Sequence, residues 1–463
     1  MSINSALSAG ASGLLANSSA LAAISDNIAN VNTVGFKRVK TDFTPNFKIS
    51  GGGEARFAAA GVSATARADI TTAGQLNPTS SKTDLAIEGN GFFVVRPSPV
   101  NIGGASPLLF TRAGGFETDS NGFLRNDAGQ YLYGWPVAAD GSVNANPSNV
   151  DALQSINLSN IGGAAESTSR IQINANLSAG QSISPDAATY DATAPATNMA
   201  SGALTPDYQE PIQIFDTQGG IRTVMLSMMK SPTANQWFAE LHVIPQGDID
   251  TGAGLNNGQV ATGVVAFDTN GQIDIANTTL PSSLSFLGSD NTAALGANDF
   301  RWDAGTGIGG QSVDVVLGSS GSAGGLTQFD SLTRTNSINV NGAIFGSFSG
   351  VEISADGFVS ATFTNGVVRK IFQIPVATVT NPNGLASVGG GSFQITDQSG
   401  SFTLNIPGSG SSGTISSEQL ENSNVDIATE FANLIITQRA YSASSRIITT
   451  ADEMLAEAIQ MKR

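Results

Sequence analysis

Two apolar stripes with heptad spacing lie near the two ends of this 463-residue chain, and nearly everything between them reads as β-structure. The first runs Ile3, Leu7, Gly10, Leu14, Asn17, Leu21, Ile24, Ile28 and Val31 in alternating steps of four and three. The second runs Ile427, Phe431, Leu434, Gln438, Tyr441, Ser445, Ile448, Asp452, Leu455 and Ile459. That spacing places one stripe along each helix and describes the seam of a coiled coil. Both seams are interrupted, at Gly10 and Asn17 in the first and at Gln438, Ser445 and Asp452 in the second. Two such helices alone make a weak pair. Two arrangements follow: an antiparallel hairpin capping the protein, or burial against further copies, with the ends becoming ordered on assembly. The seam residues for self-assembly are Ile3, Leu7, Leu14, Leu21, Ile24, Ile28, Val31, Ile427, Phe431, Leu434, Tyr441, Ile448, Leu455 and Ile459.

The expected fold class is multidomain α+β: terminal coiled-coil helices with nested, mainly antiparallel β-domains. The first helix should span about 5–31, roughly 40 Å at 1.5 Å per residue. Residues 36–77 and 404–423 read as extended connectors flanking a terminal helical domain of 1–35 and 424–463. Short alternating runs between Asp-Gly and Asn-Gly turns give a discontinuous inner β-domain, 78–164 and 336–403. A block with longer Gly, Ser and Asn tracts, 165–335, reads as an inserted outer β-domain. Ser423 and Asp426 suggest a capping box for the last helix, and Lys462 and Arg463 suit its negative end.

Composition removes whole classes of chemistry. Cysteine is absent and histidine occurs once, at His242, so thiol catalysis and cysteine-based zinc sites are excluded and no catalytic residue, metal ligand or cofactor is assigned. His242 lies in the alternating run Trp237 to Ile244 and should face solvent or a polar neighbour. The turns at Asp119, Asp216, Asp268 and Gly357 resemble fragments of calcium loops but lack the alternating acids and closing Glu, so they read as hairpin turns. With only 7% aromatic residues, a sugar-stacking cleft has little to be built from, which weakens a reading as a secreted β-rich hydrolase or adhesin.

Net charge is −16, concentrated in the middle of the chain. No basic stripe exists for phosphates, so nucleic acid is not an expected partner. Lys37, Arg38 and Lys40 form the one basic cluster and read as a solvated turn. No run of 18 apolar residues and no basic n-region occurs, so neither membrane insertion nor a cleaved signal peptide is expected.

SDNIANVNTVGFKR (25–38), DLAIEGNGFFVV (84–95), FTRAGGFETDSNGFLRNDAGQYLYGW (110–135) and NVDIATEFANLIITQRAYSASSRIITTADEMLAEAI (424–459) closely resemble the signatures of flagellar rod and hook proteins. Within that axial family, PIQIFDTQGGIRTVMLSMMK (211–230), GVEISADGFVSATFTNGVVRKIFQIPVA (350–377) and NPNGLASVGGGSFQITDQSGS (381–401) are similar to hook proteins, with a distal rod subunit as the alternative. The resemblance implies a helical homopolymer, a tube whose inner layer is the terminal helices and whose outer layers are β-domains. It implies a flexible universal joint passing torque from rod to filament. The implied partners are the distal rod protein, the hook cap, the hook-filament junction protein and the flagellar type III export apparatus, and the implied location is the extracellular hook.

Overall fold

The computed structural model describes residues 3–47, 59–99, 106–138, 141–143, 145, 150–159, 161–322 and 324–461. It forms two compact units. The first comprises 1–161, 350–361 and 369–463, and the second 162–349 and 362–368. Antiparallel pairing dominates both.

In the first unit, helix α1 (Ile3–Ala29) is followed by a hairpin of strands β1 (Val39–Phe47) and β2 (Ala59–Ala68). This stretch differs from the extended connector expected there: Val39 pairs Ala68 and Thr44 pairs Ser63 in one antiparallel register. Small side chains along β2 let α1 lie close on the hairpin. Gly61, at φ +91°, leaves room for the Ser12 hydroxyl, which accepts a hydrogen bond from Val62 N–H at 3.2 Å. By length and composition alone, Ala6–Ala29 would suffice to cross a bilayer, with a mean hydropathy of 1.3, contrary to the expectation drawn from uninterrupted apolar runs. Alanine supplies much of that apolarity, and Ala16, Ala20 and Ala23 are buried within the unit.

The β-core of this unit follows from alternating apolar residues. Neighbouring strands Tyr131–Pro136, Phe93–Arg96, Leu109–Thr111, Ser392–Gln394 and Ala386–Gly389 form the central path of a large sheet. Phe93 meets Phe116 edge to face at 5.7 Å, and Leu85, Leu124, Leu132, Val359 and Val376 close round them. The returning chain also departs from the expected connector. Thr414–Ser417 pairs with Leu85–Glu88, and Gln419–Glu421 pairs with Leu76–Pro78. These short ladders bring residue 421 beside the exit from α1. Helix α2 (Ile427–Met461) starts there.

Asp426 alone caps α2: its carboxylate accepts Thr429 N–H at 2.7 Å, and hydrogen bonding to Thr429 holds that carboxyl below its ordinary range. Ser423 accepts from Val425 N–H instead, so the expected reciprocal box is replaced by a single N-cap one residue before the helix. Lys462 and Arg463 lie outside the described residues.

In the second unit, Tyr208–Phe215, Ile221–Lys230, Gln236–Ile244 and Gln259–Ala266 form an antiparallel meander. A second sheet contains Arg170–Asn176, Ser283–Leu287, Phe300–Trp302 and Gln311–Val316, with some parallel pairing. Trp237, Leu241, Val224, Phe286 and Trp302 share one core, and Trp302 stacks on Phe286 at 4.8 Å. His242 does not face solvent, the first of the two places expected for it. It is 4% exposed, and burial pulls its imidazole down to about 4. The meander's outer face is covered by residues around the short helix Met199–Ser201, whose first N–H groups at Met199 and Ala200 bond the buried Glu240 carboxylate at 3.1 and 2.9 Å. His242 lies on the same strand face as Glu240, two residues further on.

Each Asp-x-x-Gly segment closes a hairpin. Asp119 Oδ1 accepts N–H bonds from Asn121 and Phe123, Asp216 Oδ1 from Gln218 and Gly220, and Asp268 Oδ1 from Asn270 and Gln272. Gly122, Gly219 and Gly271 supply the positive φ at the fourth position.

Candidate assembly surface

The segment after α1 is fixed by charge. Lys37 Nζ lies 2.7 Å from Glu421 Oε1 and donates to Thr72 O at 2.8 Å. On the other side, Arg112 Nη1 lies 3.0 Å from Glu421 Oε2 and also donates to Ile87 O, while Nη2 donates to Gly89 O at 2.6 Å. Gly74 N–H completes the shell of Glu421 at 2.8 Å. The Lys37 and Glu421 side chains are 1% exposed. Burial alone would raise the Glu421 carboxyl, but Arg112, Lys37 and the Gly74 N–H together hold it below its ordinary range. Nothing in this arrangement is poised for proton transfer to a substrate. It ties three distant stretches of chain together.

Neighbouring bonds extend the tie. Arg38 Nε pairs with Glu430 Oε1 in the first turn of α2, and Lys40 pairs with Asp69. Asn424 accepts Arg38 N–H at 2.7 Å and donates to Asp69 O and Thr72 O. Asn27, fully buried in the last turn of α1, grips β1 both ways: its amide donates to Val39 O at 2.9 Å and accepts Val39 N–H at 2.8 Å. The basic cluster expected to be solvated is therefore largely consumed internally, with Lys37 buried and only Lys40 well exposed. Its carboxylate partners lie far along the chain, which hides the pairing from a reading of local sequence.

From this junction α1 and α2 run antiparallel. A Cβ on Gly10 would come within 3.1 Å of Ile448 Cγ1, and Asn17 Nδ2 lies 3.5 Å from Ser444 Oγ. The two seam interruptions are thus contact points: glycine admits α2, and asparagine meets a serine. A single chain forms the helical hairpin, but an incomplete one.

The seam residues divide sharply. Ile24 is buried, and Leu7, Leu14, Leu21, Ile28, Leu434, Ile448 and Leu455 are half-buried. Val31 is also half-buried but lies in the turn beyond α1. The Ile3 side chain lies outside the described residues. Ile427, Phe431, Tyr441 and Ile459 are exposed, and so are Ile435, Ile436, Ile447 and Met454. The α2 positions most removed from water are Glu430 and Ala451, with Asn433, Thr437 and Ser444 between them, a face rotated from the aliphatic stripe. Along α2, then, several large aliphatic side chains lie open on one copy.

Four family descriptions match separate stretches. They are "Flagella basal body rod protein" over 7–37, "Flagellar hook protein FlgE/F/G D1 domain" over 86–186, "Flagellar basal body protein FlaE D2 domain" over 184–343 and "Flagellar basal body rod FlgEFG protein C-terminal" over 416–461. The flagellar hook protein FlgE of Caulobacter vibrioides is 37% identical, with 100% of both chains covered. That of Brucella suis is 30% identical, again with 100% of both covered. The crystal structure of Helicobacter pylori hook protein FlgE2 matches at 14% identity with a TM-score of 0.44, covering 75% of this chain and 100% of that one. With similarity of this level running over the full length of both relatives, the chain belongs to the flagellar hook protein FlgE family.

Proposed function

We propose that this chain is the structural subunit of a tubular hook, polymerising through its terminal helices and acting as a flexible universal joint that passes torque from rod to filament. One observation carries the reading: α2 leaves Phe431, Ile436 and Ile459 at 50, 66 and 67% exposure in a single copy. Burying side chains of that size is worth about 1.5–3 kcal/mol each, which neighbouring copies can supply. A head-to-tail contact that does not close generates an open helical filament.

In this reading the helical ends, 1–35 and 424–463, form a coiled-coil inner layer. The β-domains, 78–164 with 336–403 and the inserted 165–335, make up the rest of the tube wall. Polar outer faces with few charges slide between alternative contacts as the tube turns while bent. Family membership supports export by the flagellar type III apparatus without a cleaved signal, and contact with the distal rod protein, hook cap and hook-filament junction protein. The role is structural and no catalysis is assigned.

The test is electron microscopy of purified protein across a concentration series. Tubes appearing above a threshold concentration are the expected result. A protein that stays monomeric under all polymerising conditions, or one whose tubes leave Phe431 and Ile436 open to solvent, overturns the reading.

A further inference from the structure

Beside the Arg38–Glu430 pair, a groove of about 310 Å³ runs between α1, β1 and α2. Its apolar lining includes Ala20, Ala23, Ile24 and Ile436. Two of its lining residues carry buried polar atoms with no partner among the described residues: Glu430 Oε2 and Thr41 Oγ1. Glu430 is fully buried as a residue, and Arg38 engages only its other oxygen. A buried carboxylate oxygen without a donor is costly to leave so, and its most effective partner is a guanidinium, which brings charge and hydrogen bonds together.

The open side of α2 carries a matching ridge of side chains: Ile435, Gln438, Arg439 and Ser442 follow one another at helical spacing and are all exposed. Arg439 makes no ion pair among the described residues. At 100° per residue, Arg439 stands half a turn round the helix from Glu430. The same copy therefore cannot bring them together. Ile435, one turn before Arg439, places an aliphatic group beside the cation, as the groove places Ile436 and the alanines beside the carboxylate.

We propose that the ridge of a second copy docks in this groove, its Arg439 guanidinium completing the hydrogen bonding of Glu430 Oε2 and lying over the Ile24 and Ile436 walls. The proposal rests on the polymer reading above and gives it a register. Groove and ridge occupy different faces of one molecule, so each docking leaves a fresh ridge and a fresh groove for the next copy.

Purified full-length R439Q, R439K and wild-type proteins are compared for the critical concentration of tube formation, with circular dichroism confirming unchanged monomers. R439Q should raise the critical concentration by about ten-fold or more, since it removes the cationic donor from the second oxygen of a buried carboxylate, and R439K should recover part of the loss. R439Q assembling like wild type, or R446Q producing the effect in its place, overturns the assignment while tube formation stands. A wild type that forms no tubes fails the polymer reading instead. Because the chain has no cysteine of its own, a second readout is available. Mixed T41C and S442C chains treated with a short flexible bismaleimide should cross-link between copies in tubes and not when dispersed. Tubes without that product overturn the docking.

Discussion

Lys37 and Glu421 stand 384 residues apart in sequence and 2.7 Å apart in space. With Arg112 on the other carboxylate oxygen, one buried anion holds the segment leaving α1, the β-core and the segment entering α2 at a single point. Two cations against one carboxylate, both salt-bridged and almost dry, make the junction intolerant of neutralisation at its centre.

Replacing that centre therefore costs more than one hydrogen bond. E421Q should destabilise the first unit by about 3 kcal/mol or more, because Lys37 and Arg112 stay buried without a counter-charge. Thermal unfolding followed at Trp135, which lies in that unit's core, measures the change.

Acid should reach the same point by titration. The Glu421 carboxyl is held below its ordinary 4.5, so the stability it contributes is present above that pH. It is lost as pH falls through the folded-state value, where the native carboxylate must take up a proton. Amide exchange of residues 72–76 and 419–424 between neutral and acidic pH should show this region opening first, and the E421Q protein should lose that dependence.

His242 gives the second unit a separate acid sensitivity. Its folded value near 4 lies below the ordinary 6.5, so the unfolded chain binds the proton more readily as pH falls between them. Stability should decline by about 3 kcal/mol across that window and level off below it. Denaturant midpoints read from Trp237 and Trp302 in a W135F background measure it, and H242F should flatten the curve.

Gly10 tests the helical hairpin. A Cβ there meets Ile448 Cγ1 at 3.1 Å, a contact relieved by a shift of a few tenths of an ångström, and alanine gains about 1 kcal/mol in helix propensity over glycine. G10A should accordingly be near neutral. G10I should overpack the contact, lose about 1–3 kcal/mol and raise amide exchange at 444–451.

Leu434 and Ile448 are half-buried within one copy and should be fully buried between copies. L434D or I448D should leave both β-units folded and abolish tubes, since a carboxylate enclosed in the seam has no partner. Sedimentation and electron microscopy read the loss.

Much of this architecture is visible in local sequence. Alternation located the strands around Phe93, Phe110, Tyr133, Leu226 and Trp237, and Asp-x-x-Gly placed the turns at Gly122, Gly219 and Gly271, because period and turn chemistry are properties of a few adjacent residues. The heptads located both helices. What escaped was non-local. The small residues of β2 and the Lys, Asp and Pro within β1 carry a faint strand signal, and the hairpin packs on α1. Ser12, Asn27 and Glu421 are ordinary polar residues until the fold brings Gly61, Val39 and Lys37 to them. His242 sits on an alternating strand whose second face, shared with Glu240, is also buried, and local alternation does not reveal that. On α2 the aliphatic stripe and the face turned to α1 do not coincide, because Glu430, Thr437 and Ser444 satisfy intrachain polar contacts.

The Asn27 amide, bonded to both the N–H and the C=O of Val39, couples the start of β1 to the end of α1. A tilt of that helix should carry the hairpin with it, since Asn27 and Ser12 both bond to it. Strain imposed on a bent array would then collect beyond this elbow, along the long arm of α2, whose side chains have fewer holds within their own molecule.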